Sequence, residues 1–251
     1  MVSCVKHIPA GWSAPLTADI TNPGTSQVLP IAVLCDFDGT ISARDTVMAL
    51  YARFGNDHCR DLNRKWVLGE ISSQQEMEGC LGSSTATRAE IENALDTVPI
   101  DPSFPAFLCW CSAHGYPFAI VSDGIEYAIR HVLGRYGVHG LKVFANRMLF
   151  EHDGIRFESP WFHPTVPLRG VSKLHIIRDY QAQGYRIVFI GDGLSDLEAL
   201  GAADFVFAKG KLLSLARERD QQALAFDSFA HVAAQWPEAL RLLSTMVSNR
   251  P

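Results

Sequence analysis

Residues 31–40 read IAVLCDFDGT. Four apolar residues, Ile31 to Leu34, and then Cys35 run straight into two aspartates spaced by one residue, followed by Gly-Thr. A continuous apolar run of this length is the pattern of a strand buried on both faces. Carboxylates at the end of such a strand are costly to desolvate unless they are paired or bound to a metal. Asp36 and Asp38 therefore mark both a sheet edge and a candidate reaction centre.

Further runs repeat the pattern. PFAIVSD (117–123) and RIVFIGD (186–192) are apolar and end in acid or hydroxyl residues before a glycine. ADFVFAK (203–209) and LKVFAN (141–146) read as two more strands. Helix-like sequence separates them: GIEYAIRHVLGRYG, SKLHIIRDYQAQG and SDLEALGAA. Alternating strand and helix predicts an α/β fold, a Rossmann-like doubly wound parallel sheet with right-handed crossovers. Ligands of such sheets sit at the carboxyl ends of the strands, where Asp36, Ser122 and Asp192 would converge.

Two stretches break the alternation. Residues 42–113 hold RDTVMALYARFG, CRDLNRKWVLG, SQQEMEGCLG and RAEIENALDTV, short helices interrupted by Gly or Ser. This predicts a helical cap inserted into a core of residues 30–41 and 114–251. In NRMLFEHDGIRFESP, HDG between two alternating runs predicts a β-hairpin. Residues 1–29, rich in Pro, Gly, Ser and Thr, read as an irregular arm, and the C-terminal stretch reads as two helices with a short connection.

The chain of 251 residues is 47% hydrophobic and 20% charged, with a net charge of -5, as in a globular protein with one substantial core. No basic footprint for nucleic acid is present, and no apolar run approaches the ~20 residues of a membrane span. The six cysteines form no C-x-x-C pair. Together with the lack of a signal-like segment, this predicts reduced thiols and a cytoplasmic location.

The strand ends suit metal-assisted phosphoryl transfer. An ionised aspartate is a competent nucleophile toward phosphorus. A second aspartate two residues on points to the same side of an extended chain and can protonate the leaving oxygen, then activate water. Adjacent carboxylates and a phosphate call for a divalent cation, and Mg²⁺ prefers oxygen ligands of this kind. Asp192 and Asp196, in GDGLSD, are candidates for the remaining acidic ligation. Ser122 can donate to a phosphate oxygen, and the N–H groups of Asp123 and Gly124 are expected to open the next helix as an anion site. Lys173 begins a helix and can neutralise phosphate charge. Asp45 either caps the following helix or reaches the substrate; Glu76 and Arg64 are further candidate pocket residues.

Four motifs thus stand in order: Asp36-Phe37-Asp38-Gly39-Thr40, Ser122, Lys173, and Gly191-Asp192 to Asp196. Together they resemble the haloacid dehalogenase superfamily of phosphohydrolases over residues 31 to about 210. The resemblance implies an aspartyl-phosphate on Asp36, with Asp38 as general acid and base. It implies Mg²⁺ held by the Asp36 carboxylate, the Asp38 backbone carbonyl and Asp192, with Asp196 supporting the metal's water shell or the lysine. The helical insert resembles the cap of the phosphoserine phosphatase-like branch. GEISSQQE, DPSFPAFL and FVFAKGKLL resemble its 2-hydroxy-3-keto-5-methylthiopentenyl-1-phosphate phosphatases of methionine salvage. The implied partner is a small phosphorylated metabolite, a methionine-salvage enol phosphate or a phosphoserine-like ester. A phosphotransferase would use the same intermediate. A non-catalytic binding protein of this fold would have lost an acid or the lysine, and none is lost here. Relatives often read Ser-Gly-Gly where this chain has Ser122-Asp123-Gly124.

Overall fold

The structure is a computed structural model and describes residues 30–248. The expected N-terminal arm lies outside the described residues. Among those described, seven strands form one sheet: β1 (Ile31–Cys35), β2 (Phe118–Ile125), β3 (Lys142–Glu151), β4 (Gly154–Glu158), β5 (Arg186–Gly191), β6 (Phe205–Ala208) and β7 (Leu224–Ala225). Their order is β4-β3-β2-β1-β5-β6-β7, and every pairing is parallel except β3 with β4. The chain builds outward from β1 to one edge, then returns to its other side at β5. The crevice of this switch point opens at the carboxyl end of β1, where the DFDG sequence stands.

Alternation along β1 sorts its side chains into two cores. Ala32 and Leu34 pack with Ile176, Ile177, Tyr180, Leu212 and Ala216 of helices α7 (Lys173–Ala182) and α9 (Gly210–Glu218). Ile31, Val33 and Cys35 join the opposite layer, built on α5 (Phe104–Ala113), α6 (Glu126–Arg135) and α10 (Phe229–Ser248). The short α8 (Leu197–Ala202) completes the first layer. No helix among the described residues is long and apolar enough to cross a membrane.

Between β1 and α5 lie α1 (Thr46–Phe54), α2 (Cys59–Val67), α3 (Ser73–Leu81) and α4 (Arg88–Leu95). Local chemistry starts them: Asp45 accepts from the Met48 N–H, and Ser72 with Gln75 and Thr87 with Glu90 form capping boxes. The helix α5 differs from these four. Its Phe107 lies 5.2 Å from the Phe229 ring and stacks beside Trp110, while Trp110 meets Trp236 edge-on at 5.1 Å. The expected insert of 42–113 thus includes a helix that packs as part of the core.

Two further differences concern strand ends. LKVFAN and RMLFE, read as separate strands, form the single strand β3, whose first half pairs in parallel with β2 and whose second half makes the hairpin with β4. The strand continues without a break from Lys142 to Glu151, so one extended segment serves two partners. The strand β2 runs on to Ile125, with its register shifting after Val121, and α6 begins only at Glu126.

Phe107 is fully buried where the α5, β2 and α10 aromatics meet. Phe107→Ala is expected to cost about 3–5 kcal/mol. A denaturant midpoint within error of the parent protein would overturn this account of the α5 layer.

Candidate active site

The loop after β1 is folded by its own backbone. The Phe37 carbonyl accepts the N–H groups of Thr40, Ile41 and Ser42, and Gly39 takes φ +75°. A Cβ at Gly39 would collide with the Asp192 carboxylate, so glycine is required both by the turn and by the close approach. Thr40 Oγ1 donates to Asp192 Oδ1 at 2.6 Å, fastening the loop to the end of β5. The Asp36 N–H bonds the Ile190 carbonyl at 2.9 Å, continuing the sheet ladder to the site's edge.

Lys173, the first residue of α7, is 1% exposed. Its Nζ donates to Asp36 Oδ1 at 2.8 Å and to Asp196 Oδ1 at 2.5 Å. The other Asp196 oxygen accepts the N–H groups of Asp192 and Gly193, both at 2.9 Å. Asp36, Asp192 and Asp196 offer carboxylate oxygens that all lie within 4.8 Å of one another. An oxygen-only donor set this tight suits a hard divalent cation such as Mg²⁺. Lys173 bonds two of these three carboxylates and Lys209 lies near the third, Asp192, so the acids outnumber the ammoniums. Burial and Asp196 push the Asp36 carboxyl up, while Lys173 pulls it back. Burial likewise raises Asp192 against the Thr40 hydrogen bond. Burial opposes the Lys173 charge, yet Asp196 and Asp36 carry the ammonium above its ordinary value.

Asp38 differs from Asp36. Its Oδ1 accepts the Thr46 N–H at 2.6 Å, and it lies so close to Gly124 that any Cβ there would strike it. Burial, with Asp45 adding, raises its carboxyl to about 8. The two carboxylates differ in partner: the Lys173 ammonium bonds Asp36, whereas a backbone N–H bonds Asp38.

Ser122 is 1% exposed, and its Oγ accepts the Gly124 N–H at 3.1 Å, leaving the hydroxyl proton to donate. Asp123 and Gly124 stand on the end of β2, not at a helix N-terminus as expected, because α6 starts two residues later. The Asp123 carboxylate is also heavily used. It accepts the N–H groups of Gly170 and Val171 at 2.9 and 3.2 Å and the Ser73 hydroxyl of α3. Asn146 of β3 donates to the Asp123 carbonyl at 2.7 Å. Asp123 thus fastens α3 and the loop before Lys173 to the sheet.

Above these residues is a cavity of about 180 Å³. Asp36, Asp38, Ser122, Asp123, Gly124 and Asp192 form its floor, and α1–α3 contribute Asp45, Met48, Asn63, Trp66 and Glu76 to its walls. Lys173 and Asp196 sit beneath the floor, touching it through Asp36 and Asp192. Asp45 lies at the wall and caps α1 as well. Arg64 pairs with Asp61 in solvent and does not line the cavity. Sequence reasoning missed Thr40 and Ser73 as site residues. Thr40 lay inside the quoted motif, whereas nothing local to Ser73 signals its partner fifty positions away.

Glu76 is buried among acids. Burial raises its carboxyl to about 7; Asn63 and Arg169 oppose the shift, while Asp45 and Asp123 add to it, and the Tyr51 phenol faces it too. In the unfolded chain glutamate titrates near about 4.3. Between these values the folded protein holds the extra proton, so stability falls as pH rises through that window. Glu76→Gln keeps an acceptor for Asn63 and cannot ionise. Its Tm relative to the parent is expected to climb between about pH 5 and about pH 8. A difference that stays flat over that range would refute the raised value.

The chain is similar to known proteins in sequence and in fold. A 2-hydroxy-3-keto-5-methylthiopentenyl-1-phosphate phosphatase from Exiguobacterium sibiricum is 29% identical over 206 residues, covering 80% of this chain and 94% of its own. The phosphatase of the same name from Bacillus velezensis is 28% identical over 208 residues, covering 80% and 87%. Among solved structures, a phospho-aspartyl intermediate analogue of phosphoserine phosphatase matches with TM-score 0.61 at 16% identity, over 83% of this chain and 98% of that one. Phosphoserine phosphatase from T. onnurineus matches with TM-score 0.60 at 15% identity, over 85% and 97%. At such identities the likeness concerns the fold. The model of the haloacid dehalogenase-like hydrolases matches residues 33–201, the span that carries Asp36, Asp38, Ser122, Lys173, Asp192 and Asp196, and the chain belongs to that family.

Proposed function

We propose that this protein is a Mg²⁺-dependent phosphatase that cleaves a small phosphorylated metabolite through an aspartyl-phosphate. The reaction class is hydrolysis of a phosphoric monoester, in line with the family and with the names of the relatives. The observation that carries the mechanism is the setting of Asp36. It stands at the end of the central strand, paired with a buried lysine, and on the floor of a cavity that also holds Asp38 and Ser122.

In the first step an Asp36 oxygen attacks phosphorus and the bond to the leaving oxygen breaks. Asp38 delivers its proton to that oxygen, so the alcohol leaves neutral. In the second step Asp38, now ionised, takes a proton from water. The water oxygen attacks phosphorus, and the Asp36 carboxylate is released as the leaving group. Ser122 donates to a phosphate oxygen, and Lys173 offsets charge on Asp36 throughout. The Asp36 and Asp192 carboxylates and the Asp38 backbone carbonyl would hold the metal, with Asp196 at its margin. Mg²⁺ would supply charge neutralisation for the phosphate against these acids.

The insert acts as a cap. We take its span as 42–103, a reading supported by the contact of α5 with the α10 aromatics. A closed cap keeps bulk water out during the first step. The cavity of about 180 Å³ suits a phosphate with a few further heavy atoms. The relatives' names bring two candidate substrates into view, a methionine-salvage enol phosphate and phosphoserine.

Asp36→Asn is expected to lose turnover of every phosphomonoester while keeping its Tm, since the amide still accepts from Lys173. Asp38→Asn is expected to lose about 10²–10⁴-fold in kcat. Chelator should abolish phosphate release, and added Mg²⁺ should restore it. Near-normal turnover by Asp36→Asn, or full activity in chelator, would overturn the mechanism.

A further inference from the structure

Glu76 is 5% exposed and lines the cavity wall opposite the reaction floor. Asn63 donates to its Oε1 at 2.8 Å, and among the described residues this is the one hydrogen bond its carboxylate receives. Oε2 receives no donor from the described residues and is left as an acceptor on the cavity wall. A carboxylate oxygen accepts from any N–H or O–H that reaches it. A bound molecule that brings its own donor can pair with it.

The charge around the cavity points the same way. No lysine, arginine or histidine lines it. The neighbouring cations are already engaged. Lys173 is shared by Asp36 and Asp196, and the Arg169 guanidinium stacks over Trp66 at 5.1 Å, with Nη1 3.9 Å from Asp123. A carboxylate on the leaving group would meet Glu76 and Asp45 with no cation to pair with. Val47, Met48 and Met77 supply the rest of this wall as apolar surface.

We propose that Glu76, oriented by Asn63, selects the leaving group, and that the site takes phosphomonoesters of small alcohols that carry a hydrogen-bond donor and no carboxylate. This inference rests on the phosphatase reading above and narrows it. Of the two candidate substrates brought by the relatives' names, it sets aside phosphoserine. Glu76 binds the part of the substrate that departs, so its effect belongs in selectivity between leaving groups.

Two matched pairs test it. O-phosphoethanolamine and O-phosphoserine differ by a carboxylate, and glycerol 3-phosphate and 3-phosphoglycerate differ by a carboxylate in place of an alcohol. With the full chain and Mg²⁺, kcat/KM is expected to favour the carboxylate-free member of each pair by about tenfold or more. Glu76→Gln should raise KM for the favoured members and narrow both ratios, with its folding checked by Tm. Glu76→Lys should shift both ratios toward the carboxylate esters. Equal or better turnover of the carboxylate ester in either pair overturns the inference, as do ratios unmoved by both variants. p-Nitrophenyl phosphate separates the two levels of failure. If it is hydrolysed while the ratios go the wrong way, the selectivity claim alone falls. If neither it nor any ester is hydrolysed, the phosphatase reading fails and the selectivity claim fails with it.

Discussion

The buried ammonium of Lys173 is the interaction on which the site is built. Asp36 ends the central strand and Asp196 closes the loop after β5, and their carboxylates would repel one another in a space closed to water. Lys173 bonds both. Leaving either acid without this cation would bury an unpaired charge, a far greater penalty than any surface ion pair repays. The second Asp196 oxygen gathers the N–H groups of Asp192 and Gly193, and Asp192 in turn holds Thr40 of the first loop. One lysine therefore organises three segments brought from far apart in the chain. It leaves the cluster short of positive charge, which is the condition for a metal and a phosphate to bind there.

The helical insert shares one hydrophobic cluster with this core through Leu50, Met77, Leu81 and Ile91. The helix α2 is the exception: it buries no residue, and Val67 and Leu68 at its end are 52% and 63% exposed. The helix α3 also reaches the core through the Ser73 contact with Asp123, through Gln74 to the Phe157 carbonyl, and through Gly82 to the Ile155 N–H. An element with few buried apolar contacts, such as α2, belongs to the easily opened part of a fold. The Asp123 carboxylate supplies one of the α3 contacts. Catalytic floor and cap thus meet in a residue whose local sequence suggested only phosphate cradling.

Much of the arrangement was legible in the sequence because it depends on short-range rules. Apolar runs ending in acids marked the parallel strands, and short helices broken by Gly or Ser marked the insert. The hairpin followed from HDG between alternating residues. What escaped was set by partners distant in sequence. LKVFAN and RMLFE look like two strands because their neighbours change midway, from β2 to β4, while the backbone runs straight on. The helix α5 looks like its four predecessors until the aromatic rings of α10 are brought against it. The Asp123 and Gly124 N–H groups looked like a helix start, but strand pairing carries β2 to Ile125.

By itself, the sequence determined the α/β class, the order of the strands along the chain, and which acids, lysine and serine are candidates for the site. These follow from hydrophobic period and from the chemistry of side chains at fixed spacing. The tertiary structure alone decided which oxygen meets which donor. It gave Asp36 a lysine and Asp38 a backbone N–H as partners, gave Asp123 its structural work, and put Glu76 on a cavity that no lysine, arginine or histidine lines. Burial and proximity are properties of the folded chain, and they change a carboxylate's charge state and partners without changing a letter of the sequence.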